Sequence, residues 1–398
     1  MAIFRVGVAI YLSAMLVIAT RVSVNGDNSF LWIAHSWLVI VLAISAYQLL
    51  ATGEVLRTLR DPAAWLILLF FGYFILMAAT YPDPEIARQY LKDAVRNCLV
   101  SFLCGYLFAV APRASAEKDW AILIGMGACV IAVFFLAAPQ MRGDIFLVLQ
   151  PGWTPQYQYF GDQLTVVLIG GVMLLSAHSG PWASGDYLPW SIVPFVFVAG
   201  FFAAQLVGSN NATVLMGMLA VALGAATVMT YWQKGMTAAA CHFFLAVGIA
   251  TAIWVAVIAA MPPMRIFNFG DGEFAAKVPG YASIVSRADL SGDSLAQFKL
   301  APLLGDLAAD KIVGNPGGYL HSILAVQSHL GLVGSALLFM FLAVKLRCLY
   351  SSGPDIRKWI TPPILTVAFL ATFFTWQPLW FLIGMLMPIR NRKSKKNP

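Results

Sequence analysis

Apolar runs long enough to cross a bilayer recur along most of the chain, separated by shorter polar stretches. Hydrocarbon cannot satisfy backbone N–H and C=O groups, and the strict alternation of a barrel strand is absent, so each run is expected to be a helix. The pattern predicts spans near 4–22, 30–51, 62–80, 94–111, 119–138, 158–177, 188–207, 211–232, 238–261, 321–346, 358–375 and 376–389. Residues 358–389 hold Pro362, Pro363 and Pro378, so one tilted helix with a broken end is the other reading of that stretch. The amphipathic segment 83–96, with Asp83, Glu85, Arg88, Lys92 and Arg96, reads as a separate interfacial helix.

The expected fold class is therefore all-α and integral to the membrane, a polytopic bundle of about 12 transmembrane helices. Three segments follow from it: helices 1–9 over 1–261, a large loop over 262–320, and helices 10–12 with a basic tail over 321–398. The loop sequence 288–312 places apolar residues partly at helical spacing, which predicts short amphipathic helices on the membrane surface. Composition strengthens the class. Of 398 residues, 60% are hydrophobic and 11% charged, where a soluble domain carries about a quarter charged. Mean hydropathy is +0.79. The first run lacks a small-residue cleavage site and is read as a retained span.

A net charge of +7 would suggest nucleic acid in a soluble protein; here the distribution of charge argues for topology instead. With an even number of spans and the N-terminus in the cytoplasm, 15 of the 25 Lys and Arg residues fall inside, counting Lys345 and the tail from Arg390 to Lys396, and 10 fall outside. Both termini are thus expected in the cytoplasm. The five cysteines show neither ligand spacing nor obvious pairs, so no disulfide, metal site or cofactor is expected.

Few spans carry a charge at mid-depth: His35, Asp162 and His242 are the candidates. Chemistry is therefore expected at the outer rim. There Gly317-Gly318-Tyr319-Leu320-His321-Ser322 runs into an apolar helix holding Gly331 and Gly334. This places His321 in the first turn of a span, where the positive helix end disfavours imidazolium and leaves a lone pair to accept a proton. An interfacial histidine that caps a loop is the alternative. His329, two turns deeper, is expected to pack inside the bundle, and Gly331 and Gly334 to permit close helix packing. Arg142, Arg265 and Arg287 lie in the outer loops; their planar forks suit phosphate oxygens, with headgroup snorkelling or pairing to Asp144, Asp271, Glu273 or Asp289 as the other readings.

Taken together, Ser286-Arg287, then Phe298-Lys299-Leu300-Ala301-Pro302-Leu303-Leu304-Gly305, then Gly317 to Ser322 followed by Gly331-Leu332-Val333-Gly334, resemble the bacterial O-antigen ligase and polymerase family, which implies a place in the bacterial inner membrane with the active site on the periplasmic side. Two features depart from it. The stretch between Ser322 and Gly331 is one residue shorter than usual, and the family's Ser-Arg pair at the eighth span reads Ser209-Asn210-Asn211. The resemblance implies a C-type glycosyltransferase-like fold with one large periplasmic loop. It implies an O-antigen ligase that moves glycan from undecaprenyl diphosphate to a sugar hydroxyl of lipid A-core, metal-independently, inverting the anomeric centre, in lipopolysaccharide biosynthesis. His321 matches the family's essential histidine and Arg287 its loop arginine; Arg265 matches in position, and Arg142 follows from topology. The expected partners are that donor, that acceptor and membrane lipids, with no nucleic acid, and the protein is expected to act as a monomer. An O-antigen polymerase of the same family is the first alternative. A lipid-linked sugar flippase is the second, and it calls for mid-membrane charge that the spans mostly lack.

Overall fold

The computed structural model describes residues 29–51, 53–110, 140–142, 145–147, 156–178, 193–194, 196–201, 204, 209–233, 298–309, 322–352, 355–369, 371 and 374–389. Their elements are α1 (Ser29–Ala51), α2 (Glu54–Leu59), α3 (Pro62–Ala79), α4 (Pro84–Asp93), a π-helical segment (Ala94–Leu99), α5 (Val100–Val110), β1 (Gln140–Arg142), β2 (Ile145–Leu147), α6 (Gln156–His178), α7 (Asn210–Gln233), α8 (Ala325–Ser351), α9 (Arg357–Ala368) and α10 (Gln377–Leu386). Four helices among the described residues are long and apolar enough to cross a membrane: Pro62–Ala79, Pro84–Val110, Asn211–Met229 and Ala325–Ser351. The expected spans near 4–22, 119–138 and 238–261 lie outside the described residues, and 188–207 is described only in part.

Two compact units divide the chain, each discontinuous in sequence: Met1–Ile44 with Pro112–Pro279, and Ser45–Ala111 with Gly280–Pro398. In the first, α6 packs on α7 with Gly161 against Ser209 and Ala212. Thr165, Thr213 and Thr227 turn their hydroxyls onto carbonyls four residues back, at 2.8 Å each, which satisfies polar side chains inside apolar helices. Asp162, flagged by its position in a span, is buried. β1 and β2 pair antiparallel, with Arg142 opposite Ile145. No strand was expected in this stretch, although a Gly-Asp pair between two short apolar-polar runs is a known hairpin signal.

In the second unit, α5 and α10 approach most closely. A Cβ on Gly105 would run into the carbonyl of Phe381, and one on Gly384 into that of Phe102. Aromatic rings fill the space beside them: Phe70 lies 5.7 Å from Trp380, Phe71 5.2 Å from Phe102 and Phe74 4.8 Å from Phe374. Asp61 caps α3 by accepting the amide of Ala63 at 3.0 Å, with Pro62 opening the helix, so that boundary follows from local chemistry.

Two expectations need correction in this unit. The segment 83–96 is not a helix of its own. It continues through the π-helical segment into α5 as one helix of 27 residues, because Asp83 caps its start and no breaker follows. Of the two readings of 358–389, the one with two elements matches the described helices α9 and α10, each shorter than the expected 358–375 and 376–389. Lys345, counted among the cytoplasmic loop cations, is fully buried within α8.

Candidate functional site

Of the residues singled out by the sequence, His321, Arg265 and Arg287 lie outside the described residues. Arg142 closes β1, and its side chain is outside what is described. What the structure does define is the frame on both sides of His321. Helix α8 begins at Ala325, preceded by a turn in which the amide of Ala325 donates to Ser322 O at 2.9 Å and that of Leu324 to Ser322 Oγ at 3.1 Å. The amide of Ile323 reaches across to Ala368 O at 2.7 Å. The described helix thus begins four residues after the expected start at 321, and His321 itself lies outside the described residues.

The second feature of the frame is a break in α8. Gly331 has φ 59° and ψ −161°, a conformation open essentially to glycine alone. Beyond the break the helix amides of Leu332 and Val333 are released from their own helix and donate to Pro302 O at 2.8 Å and Leu303 O at 3.3 Å. The carbonyl of Ser328 accepts the amide of Asp306 at 2.8 Å. The turn 302–306 is thus docked into the gap, and its own Gly305, at φ 79°, lies against the backbone of His329 and Gly331. Gly331 and Gly334 were expected to ease helix packing. Gly331 instead supports the break, and a Cβ on Gly334 would meet Leu330 of the same helix.

Two tyrosines hold this turn from α3 and its C-terminal connection. Tyr73 Oη donates to Leu304 O at 2.8 Å, and Tyr81 Oη donates to Asp306 Oδ1 at 2.7 Å, which also accepts the amide of Ala308 at 2.9 Å. Burial, then the hydrogen bond to Asp306 and its negative charge, push the Tyr81 phenol from its ordinary 10.0 up to about 12. The phenol is consequently protonated, and a donor, throughout the neutral range. A raised folded-state pKa contributes stability that is whole below 10.0 and is lost as pH climbs through about 12. Tyr81→Phe should lower stability by about 1.5–3 kcal/mol, the usual worth of a hydrogen bond to a charged group. Unfolding followed in detergent at neutral and at strongly alkaline pH checks this, since the difference from wild type should shrink at high pH.

Beneath the turn, three irregular helices meet. His329 is buried, as expected, with Nδ1 2.9 Å from Ala325 O. Its ring lies 5.5 Å from Tyr90 of α4 and 5.1 Å from Phe374, in the break between α9 and α10. Phe374 O in turn accepts from Cys98 Sγ in the π-helical segment at 3.1 Å. Broken or wound-out helices buried together in a membrane bundle recur where substrates are handled, because irregular backbone is tolerated only where protein or a cavity surrounds it.

At the opposite end of α8, Lys345 Nζ donates to Asp61 Oδ2 at 2.6 Å, to Met387 O, and to Ile389 O at 3.0 Å. Arg357 pairs with Asp355 at 2.6 Å and donates to Met385 O at 2.9 Å. Two cations thus take up the carbonyls that α10 leaves unsatisfied at its C-terminal end. Sequence reasoning missed Lys345; the only signal was that its run continues four residues past it, to Leu349.

These residues define a helical protein with membrane-crossing candidates, in which α8 is broken near one end and clamped at the other. No protein-family description, no curated protein and no solved structure matches the chain.

Proposed function

We propose that the protein is an O-antigen ligase, a glycosyltransferase of the bacterial inner membrane acting at its periplasmic face. What supports the reading is the meeting of two motif stretches quoted for the family, Pro302-Leu303-Leu304-Gly305 and the helix carrying Gly331 to Gly334, which are distant in sequence and dock on each other through paired backbone hydrogen bonds. Their docking fastens the chain on both sides of the segment holding His321.

In the proposed reaction a hydroxyl oxygen of lipid A-core attacks the anomeric carbon of the glycan, the bond to the diphosphate oxygen breaks, and undecaprenyl diphosphate leaves. The hydroxyl proton passes to His321 as general base. Arg265 and Arg287, with Arg142, offset the negative charge that gathers on the leaving diphosphate. One displacement inverts the anomeric centre.

The test uses purified donor and acceptor. His321→Ala should abolish transfer while the protein remains inserted and folded, and loss of charge at Arg265 or Arg287 should weaken donor use, with Arg→Lys a partial rescue because the fork geometry is lost. Full activity of His321→Ala would remove the general-base assignment. In cells, deletion of the gene should leave lipid A-core without O-antigen; core bearing a single repeat unit would point to the polymerase instead.

A further inference from the structure

We infer that the turn Ala301–Gly305 is re-entrant, seated inside the hydrocarbon of one bilayer leaflet with Leu300, Leu303 and Leu304 against lipid acyl chains. The first support is an account of its backbone. Ala301 O accepts Gly305 N at 2.9 Å, Pro302 O accepts Leu332 N, Leu303 O accepts Val333 N, and Leu304 O accepts Tyr73 Oη at 2.8 Å. Four successive carbonyls each have a protein partner. A turn in water has no need of this, whereas a turn in hydrocarbon cannot do without it.

The side chains point the same way. Leu300 is 75% exposed, Leu303 64% and Leu304 56%, in a stretch where a water-facing turn would carry polar residues. Their surface is continuous with that of the flanking helices. Leu332 and Val333, bonded to the turn, are themselves exposed, and so is Leu76, one turn from Tyr73. Among these residues the exposed cation is Lys299, whose long stem can carry its ammonium to the headgroups.

Depth can be reckoned from both helices. Tyr73 lies six residues before the end of α3, and Leu332 seven residues after the start of α8. At 1.5 Å per residue they stand about 9 and 10.5 Å below the helix ends, and for α3, whose 18 residues about match a core of about 30 Å, that is roughly a third of the way in. Asp306 sits higher, at Tyr81 beyond the end of α3, where a carboxylate belongs. The order along the chain, a charge at the rim and leucines below, matches a descent into the leaflet.

The experiment places a nitroxide at Leu304→Cys in the full chain, reconstituted in lipid bilayers with the five native cysteines replaced. Leu76→Cys serves as the lipid-facing reference and Asp83→Cys as the exposed polar one. The label at 304 should respond to oxygen about tenfold more than to a water-soluble nickel chelate, as a hydrocarbon site does. A response like that of position 83, or shielding from both reagents by covering protein, would overturn the inference. Leu303→Asp in the native-cysteine protein provides a second reading: about a tenfold fall in the amount of folded protein in the membrane is expected, because a carboxylate is placed in lipid. An unchanged amount and an unchanged melting temperature would count against it. Both readings are independent of whether the protein transfers glycan.

Discussion

Gly331→Ala should cost the protein about 3–5 kcal/mol, enough to remove most of its folded yield from a stability that is ordinarily about 5–15 kcal/mol. The conformation at φ 59° and ψ −161° alone accounts for about 1–3 kcal/mol when a side chain is added. The added Cβ would also run into the carbonyl of Leu303 and lie 2.6 Å from the amide of Gly305. Those are backbone atoms of the docked turn, so relief requires the turn to withdraw. Withdrawal in turn breaks the hydrogen bonds to Leu332 and Val333, each worth about 1 kcal/mol net and more where no water can replace it. Denaturant titration in micelles measures the loss. Gly72→Ala in α3 is the control, since nothing lies within 4 Å of the new methyl and alanine favours a helix by about 0.5–1 kcal/mol.

Lys345→Met is expected to have a comparable effect, by a different route. The lysine side chain is 0% exposed and its three N–H bonds are all used, on Asp61, Met387 and Ile389. Methionine fills much the same volume but strands a carboxylate and two carbonyls, and removing one partner of a buried ion pair typically costs about 3–5 kcal/mol. Asp61→Asn should also be costly, because the fully buried ammonium of Lys345 then lacks its counter-charge. The one amide oxygen can either cap α3 at Ala63 or accept from the lysine, where Asp61 uses Oδ1 for the first and Oδ2 for the second. Combining Lys345→Met with Asp61→Asn should recover part of the loss, because no charge is then left unpaired. Thermal unfolding of the four proteins in one detergent gives the coupling.

The spans were legible wherever an apolar run is bounded by a cap or a breaker. Asp61-Pro62 fixes the start of α3, and the long runs behind α6, α7 and α8 become helices within a few residues of the expected bounds. His329 was legible as a packed residue from helix rise alone. The break at Gly331 was not, because a glycine in an apolar run reads equally as a packing notch or as a backbone departure; only the turn that docks there decides between them. Lys345 was misplaced because a basic residue near the end of a run normally marks the water boundary, and its burial depends on carbonyls contributed more than 40 residues later. Of the candidate site, the motif stretches at 302–305 and 331–334 were visible as separate patterns. Their contact depends on tertiary hydrogen bonds that leave no periodic trace.

The π-helical segment has a consequence for phase. Buried positions between Ile86 and Tyr106 recur at every fourth residue: Ile86, Tyr90, Ala94, Cys98, Phe102 and Tyr106. On a regular α-helix such a series drifts around the axis by about 40° per step and would soon leave its partners. The wider winding at Ala94–Leu99 takes up part of that lag, so one seam stays turned inward from the Tyr90 level down to the Phe102 level. Shortening the segment by a single residue would swing every side chain from Val100 onward by roughly one helical step and set Gly105 away from Phe381.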